Sequence, residues 1–314
     1  MSSFKELNIL GGKREPFLFI TDFKATHLEV IPLKNMENQD IEFSINNHNT
    51  EYKIDSKQLK KHPISLQQYK NKFDKVIQRI KKGDTYLLNL TQPTKVQTDL
   101  TLEEIFSAVN ADYKLRYKDK FVCFSPEKFI QIEDKRIHTY PMKGTIDASL
   151  PNAEHSILSN EKEMAEHIMV VDLLRNDLSI CAKDVKVENF RYIDKIQAGD
   201  KELLQVSSHI SGEVGDSWHE RIGDILESLL PAGSITGTPK KKTVEIIEEI
   251  EEYDRGFFTG VFGLYDGKKL DSGVMIRFIE KSDNGYIYKS GGGITLDSQF
   301  ELEYNELLDK IYLP

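Results

Sequence analysis

Three consecutive glycines constrain this chain more than any other feature. They stand near its end in Ser290-Gly291-Gly292-Gly293-Ile294-Thr295, shortly before a helical stretch with one charged face. Glycines at a strand end strip it of side chains, so a ligand can approach the backbone amides closely. The stretch that follows, from Glu301 to Lys310, carries Glu303, Glu306 and Lys310 at i, i+3 and i+7, on one side of a helix. Two carboxylates one turn apart above bare amides suit a hydrated divalent cation that holds an anionic substrate. An isolated pair of this kind is more often a solvated acidic face, and a second copy upstream weighs against that reading here.

The copy lies in Glu163-Met164-Ala165-Glu166-His167-Ile168-Met169-Val170-Val171-Asp172-Leu173-Leu174-Arg175-Asn176-Asp177-Leu178. Good helix formers and apolar residues at helical spacing predict a helix, with Glu163 and Glu166 one turn apart. A magnesium site shared by two such helices leaves positions for water and substrate oxygens. No other histidine stands at ligand spacing from His167, so it reads as a surface or packing residue.

The 314 residues suffice for a sizeable core, as one large domain or two lobes. The net charge of -9 disfavours nucleic acid as the main partner. With no long apolar run and no secretory leader, the chain reads as soluble and cytoplasmic. Cys123 and Cys181 offer neither a disulfide framework nor a metal cluster, and Cys123 sits in an apolar run that reads as a buried strand. The first sixty residues read as antiparallel strands, ahead of a helix over Leu66 to Ile80 with Tyr69, Phe73, Val76 and Ile80 as its stripe. Strands and turns dominate to about Thr145. Helices around 161–178, 219–230 and 239–252 then alternate with further strands. This mixture predicts an α+β chain: one catalytic unit over 1–314, with a strand-rich part to residue 65 and the catalytic core from 66.

Pro231-Ala232-Gly233-Ser234-Ile235-Thr236-Gly237-Thr238-Pro239-Lys240 lacks the Walker spacing, so nucleotide hydrolysis is disfavoured. Thr238 can cap a helix with Pro239 at its first position and Val244, Ile247 and Ile250 as its stripe. Free amides there suit a carboxylate-sized anion, while a plain loop-to-helix junction fits the same residues. Ser125-Pro126-Glu127 and Pro141-Met142-Lys143-Gly144-Thr145 flank a hairpin formed by 129–132 and 136–139, which could bring Glu127 and Lys143 to one site. A carboxylic acid beside an amine suggests a proton donor and a nucleophile, and a surface salt bridge explains the spacing equally well.

Taken together, these segments resemble the chorismate-utilising enzymes, a family that includes anthranilate, aminodeoxychorismate, isochorismate and salicylate synthases. The resemblance runs from about Gly83 to the C-terminus. It also rests on Gly83-Asp84-Thr85-Tyr86-Leu87-Leu88-Asn89-Leu90-Thr91, Arg255-Gly256-Phe257-Phe258-Thr259-Gly260 and Ile276-Arg277. It implies two facing antiparallel sheets with helices outside and the site in the cleft between lobes. It also implies that Glu166 and Glu306 bind Mg2+, with Glu163 and Glu303 in support. Arg277, Lys310 and the amides near Gly291 and Gly293 would hold substrate carboxylates, with Thr145 and Thr238 as further substrate contacts, and Glu127 would be the general acid at the departing hydroxyl.

Within the family, Lys143 resembles the aminodeoxychorismate synthase component I branch, where anthranilate synthases usually have alanine. That resemblance implies a lysine nucleophile at ring carbon 2, loss of the 4-hydroxyl, and attack of ammonia at carbon 4. The product, 4-amino-4-deoxychorismate, leads to p-aminobenzoate and folate. Leu87 stands where water-adding relatives have a basic lysine, which disfavours isochorismate and salicylate synthesis. Three departures concern contacts: Leu87 also replaces a common glutamine, Gln205 a common histidine, and Phe258 a tyrosine, whose hydroxyl is therefore missing. Anthranilate synthesis and a catalytically silent chorismate-binding subunit are the alternatives. Neither cysteine has the flanking glycines of a glutaminase nucleophile, so a separate glutamine amidotransferase subunit is the expected source of ammonia.

Overall fold

The clearest agreement between apolar spacing and structure lies between Leu66 and Lys81, where Tyr69, Phe73, Val76 and Ile80 are the buried residues of one helix. Ser65 and Gln68 close a capping box at its start, satisfying two otherwise orphaned groups. The structure, a computed structural model, describes residues 3–47, 59–198, 201–283 and 285–313. The chain begins with α1 (Phe4–Gly12), β1 (Phe17–Thr21), β2 (Leu28–Pro32), β3 (Ile41–Ile45), β4 (Lys60–His62), α2 (Leu66–Lys81) and β5 (Leu87–Gln97). It continues through α3 (Leu102–Ala108), β6 (Tyr113–Tyr117), β7 (Phe121–Ser125), β8 (Lys128–Glu133), β9 (Arg136–Thr139) and β10 (Met142–Asp147). Next come α4 (Ala153–Ser159), α5 (Glu161–Cys181), β11 (Lys183–Ala198), β12 (Lys201–Glu213), α6 (Ile222–Leu229) and β13 (Gly237–Thr238). The last elements are α7 (Lys240–Glu251), β14 (Val261–Tyr265), β15 (Leu270–Val274), β16 (Phe278–Ser282), β17 (Gly285–Ile294) and α8 (Phe300–Asp309).

The strands form two sheets. One runs β10-β12-β9-β8-β15-β14-β1-β2, with β11 also paired to β12. The other runs β13-β5-β17-β16-β7-β6-β3, with β4 also paired to β5. Neighbouring strands pair antiparallel, as in Phe19↔Gly263 and Gly292↔Leu90. Leu18, Ile20 and Phe262 of the first sheet meet Leu115, Phe121 and Phe278 of the second in one apolar cluster. The sheets therefore face each other, and burial of these side chains from water holds them together. The helices lie outside: α1 and α6 pack with Phe17 and Tyr265 of the first sheet, and α3 packs with Val122 and Tyr288 of the second. This is the expected α+β architecture. Among the described residues no helix is long and apolar enough to cross a membrane.

Two expectations change. Residues 4–12 are not strand but α1, although the run ends in Gly11-Gly12. The glycines allow close approach: a β-carbon on Gly11 would lie 2.0 Å from the carbonyl oxygen of His219, and one on Gly223 1.8 Å from that of Phe4. Tertiary packing overrides a poor helix propensity here. Residues 48–58 lie outside the described residues, so the strand expectation there has no counterpart. Thr238, expected to cap a helix, belongs instead to β13, where Gly237 and Thr238 pair with Leu88 and Leu87. Its carbonyl accepts from the Tyr86 N–H and the Thr85 hydroxyl, and α7 begins at Lys240 with Pro239 flanking it. Gly237, at φ 135°, has its missing β-carbon 1.8 Å from the Leu87 carbonyl oxygen, so the ladder fixes this segment before a cap can form.

Candidate active site

The C-terminal half of β17 is the floor of the site. Gly291, Gly292 and Gly293 pair with Thr91, Leu90 and Asn89 of β5. A side chain at Gly292 would stand 3.4 Å from Glu306 Oε1, 3.6 Å from Glu303 Oε2 and 3.6 Å from Lys310 Nζ. The bare strand is thus what lets α8 lay its charged face over the backbone. Lys310 donates to the Gly291 carbonyl at 2.8 Å and pairs with Glu306 at 2.6 Å. Its burial pulls the ammonium pKa down, and Glu306 opposes that shift.

Opposite stands β10, supported by α5. The pairing of β10 with β12 shifts register between Met142 and Thr145, and Gly144 takes φ 81°. Such a bulge re-aims the intervening side chain. Lys143 Nζ lies 4.0 Å from Glu166 Oε2. A β-carbon at Gly293 would meet Lys143 Nζ at 3.3 Å and Leu87 Cδ1 at 3.1 Å, so the glycine leaves room for the amine. Glu163 approaches Gly144 in the same way, at 3.4 Å from its missing β-carbon.

Glu127 follows β7. Its backbone N–H donates to Ser125 Oγ, and its carbonyl accepts from the Val274 N–H. Its carboxylate accepts from the Ser234 hydroxyl. Burial pushes the Glu127 pKa up; Ser234, Lys143, Arg277 and Lys310 oppose the shift by favouring the charged form. Arg277 sits at φ 52°, with its carbonyl accepting from the Phe124 N–H.

One cavity of about 670 Å³ is lined by Glu127, Lys143, Thr145, Glu163, Glu166, Arg277, Gly291, Gly293, Glu303, Glu306 and Lys310. Residues far apart in sequence thus converge as the motifs suggested. Thr238 is the exception and is absent from the lining, because β13 holds it at the edge of its sheet. Gln205 and Phe258 line the cavity, whereas Leu87 is buried in the main apolar core. Ser234, Asn89 and Tyr312 also line it and were not singled out by sequence. Ser234 lay inside the glycine loop with nothing local to mark it; its partner Glu127 is 107 positions away.

Carboxylate oxygens on α5 and α8 are the donor type that magnesium takes. The four glutamates share one cavity, and among the described residues no three acidic, histidine or cysteine side chains converge into a ready-made cage. His167 is fully buried rather than at the surface, with Nε2 2.6 Å from Ser208 Oγ and its ring edge-on to Phe190. Burial, with Arg191 and Lys143 adding to it, pushes its pKa down to about 4, so it packs as a neutral imidazole. Cys123 is fully buried in β7, as expected.

A family model for chorismate binding enzymes matches residues 16–313. A Haemophilus influenzae protein named as an uncharacterized PabA-like protein is 48% identical, over 99% of this chain and 95% of its own. Aminodeoxychorismate synthase component 1 of Bacillus subtilis is 32% identical over 80% of this chain, which spans 55% of that relative. Anthranilate synthase component 1 1 of Haloarcula marismortui is 34% identical over 75% of this chain, with 50% of its own length covered. Among solved structures, the menaquinone-specific isochorismate synthase MenF of Escherichia coli superposes with a TM-score of 0.73 at 14% identity, covering 97% of this chain and 79% of that one.

Proposed function

This chain belongs to the chorismate-binding enzyme family, and on that premise we propose that it is an aminodeoxychorismate synthase component I, which joins ammonia to chorismate to give 4-amino-4-deoxychorismate. The observation that carries this reading is Lys143. Its amine stands in the cavity beside Gly293 and 4.0 Å from Glu166. In this reading the neutral amine attacks ring carbon 2, the ring double bonds shift, and the 4-hydroxyl leaves as water with the proton of Glu127. Ammonia then attacks carbon 4, the double bonds shift back, and the carbon–nitrogen bond to Lys143 breaks. A covalent lysine adduct lets the new amine enter where the hydroxyl left.

Glu127 suits the proton-donor role because burial keeps it protonated to higher pH than an exposed glutamate. Arg277 and Lys310 are the cations for the substrate's carboxylates, and the amides near Gly291 and Gly293 add donors without side chains. Glu166 and Glu306, supported by Glu163 and Glu303, would hold magnesium, which supplies charge neutralisation for an anionic substrate. A glutamine amidotransferase is the proposed partner.

The test is product identification after incubation with chorismate, ammonium and magnesium. 4-Amino-4-deoxychorismate is the expected product. Anthranilate would move the chain to the other amine-adding branch, to whose Haloarcula marismortui member it is 34% identical. No turnover of chorismate would make it a silent binding subunit.

A further inference from the structure

Beyond Lys310, the tail that follows α8 enters the cavity, among the described residues, through one side chain. Ile311 and Leu313 are buried in the cluster beneath the second sheet, at 0% and 3% exposure. Tyr312 between them is 37% exposed and lines the cavity. The backbone here is pinned on both sides: the Tyr288 phenol donates to the Tyr312 carbonyl at 3.2 Å, and the Ile311 N–H donates to the Leu308 carbonyl at 3.2 Å. The backbone that carries Tyr312 is therefore held in place.

Arg277 Nε–H donates to Tyr312 Oη at 3.3 Å, and the guanidinium carbon lies 5.4 Å from the ring centroid. Among the described residues the guanidinium has no carboxylate at ion-pair distance, and the phenol has no acceptor for its own hydrogen. A hydroxyl that accepts from a cation is polarised into a better donor. Its natural complement is an anion, and a carboxylate can take both the phenol hydrogen and the guanidinium N–H groups. Phe258, which lines the same cavity, has no hydroxyl to offer.

We infer that Tyr312 is a substrate-binding residue whose phenol and the Arg277 guanidinium together clamp one carboxylate of the substrate. The hydroxyl comes from the C-terminal tail, where Phe258 supplies none. This rests on the reading of Arg277 as a carboxylate-binding cation.

The experiment compares Tyr312→Phe and Arg277→Gln with the parent chain, measuring kcat, KM for chorismate and thermal unfolding in the presence of magnesium and ammonium. Loss of one charge-assisted hydrogen bond should raise KM about tenfold in Tyr312→Phe, with kcat held within about twofold. An unchanged KM in Tyr312→Phe with a raised KM in Arg277→Gln overturns the inference and leaves the carboxylate reading standing. An unchanged KM in both variants overturns that underlying reading. A lower unfolding temperature and a lower kcat at constant KM would make the tail merely structural, which also overturns the inference.

Discussion

At the scale of single residues, the proposed chemistry depends on two groups, Lys143 and Glu127. Lys143 is the proposed nucleophile, and Lys143→Ala should lower product formation by about a hundredfold or more. Its melting temperature should stay near that of the parent, since the ion pair of the amine with Glu166 spans 4.0 Å. An alanine variant of full activity would exclude the lysine adduct, and a wild-type adduct found on Lys143 by mass spectrometry would support it. Glu127 gives a pH prediction. A general acid works while protonated, so the limb of the pH–rate profile that belongs to Glu127 should fall as pH rises through its raised pKa. The Ser234 hydroxyl stabilises the carboxylate form. In Ser234→Ala that support is gone, the pKa moves further up, and the falling limb should shift to higher pH. A shift to lower pH in the pH–kcat/KM profile would count against this assignment.

At the scale of elements, legibility depended on how local the cause was. The glutamate pairs of α5 and α8 could be read because both members of a pair lie one turn apart, and periodicity is a property of a single helix. The capping box of Ser65 and Gln68 is equally local. By contrast, α1 ends in two glycines, and the reason for the first, Gly11, is the carbonyl oxygen of His219, more than two hundred positions away. The role of Thr238 was misread for the same reason, since its partners Leu87 and Tyr86 come from a different stretch of chain. The helix pairs carry the next prediction. If α5 and α8 share magnesium, Glu166→Gln and Glu306→Gln should each collapse activity, with excess magnesium recovering only part. A titration of magnesium followed by calorimetry should show weaker binding in both variants. Full activity of Glu306→Gln without added metal would falsify the shared site.

At the scale of the whole molecule, a buried ion pair ties the end of α7 to the second sheet. Arg255 and Glu251 are 1% and 0% exposed and meet at 2.6 Å. Arg255 also donates to the carbonyls of Ile235 and Asn89, and Glu251 accepts from the Thr91 N–H and hydroxyl. The pair thus braces the strand opposite the triple glycine and the loop that carries Ser234. The sequence offered Arg255 only as part of a family resemblance, because the carbonyls it satisfies come from two other segments. Removing it leaves a carboxylate buried without its cation, and Arg255→Ala should cost about 3–5 kcal/mol by denaturant unfolding. A loss below about 1 kcal/mol would mean that water replaces the guanidinium.

The same scale bears on the proposed source of nitrogen. A glutaminase needs a thiolate that can attack an amide. Burial pushes the Cys123 thiol well above the ordinary cysteine range and the Cys181 thiol up to about 11. Cys123 lies inside β7 with no exposed surface, and Cys181 ends α5 with its sulfur against the Leu178 carbonyl. Neither lines the cavity that holds Lys143. Neither thiol is therefore placed for that chemistry, and the proposed reaction is expected to draw its ammonia from outside the chain. Purified chain given chorismate, magnesium and ammonium should form product, and the same mixture with glutamine in place of ammonium should not. Adding a glutamine amidotransferase that forms a complex with the chain should restore glutamine-dependent turnover. Sustained product from glutamine with the chain alone, undiminished when both cysteines are changed to serine, would show that the amide is hydrolysed by a group other than a thiol. If the double change abolished that turnover, one of the two thiols would have to be reactive in solution.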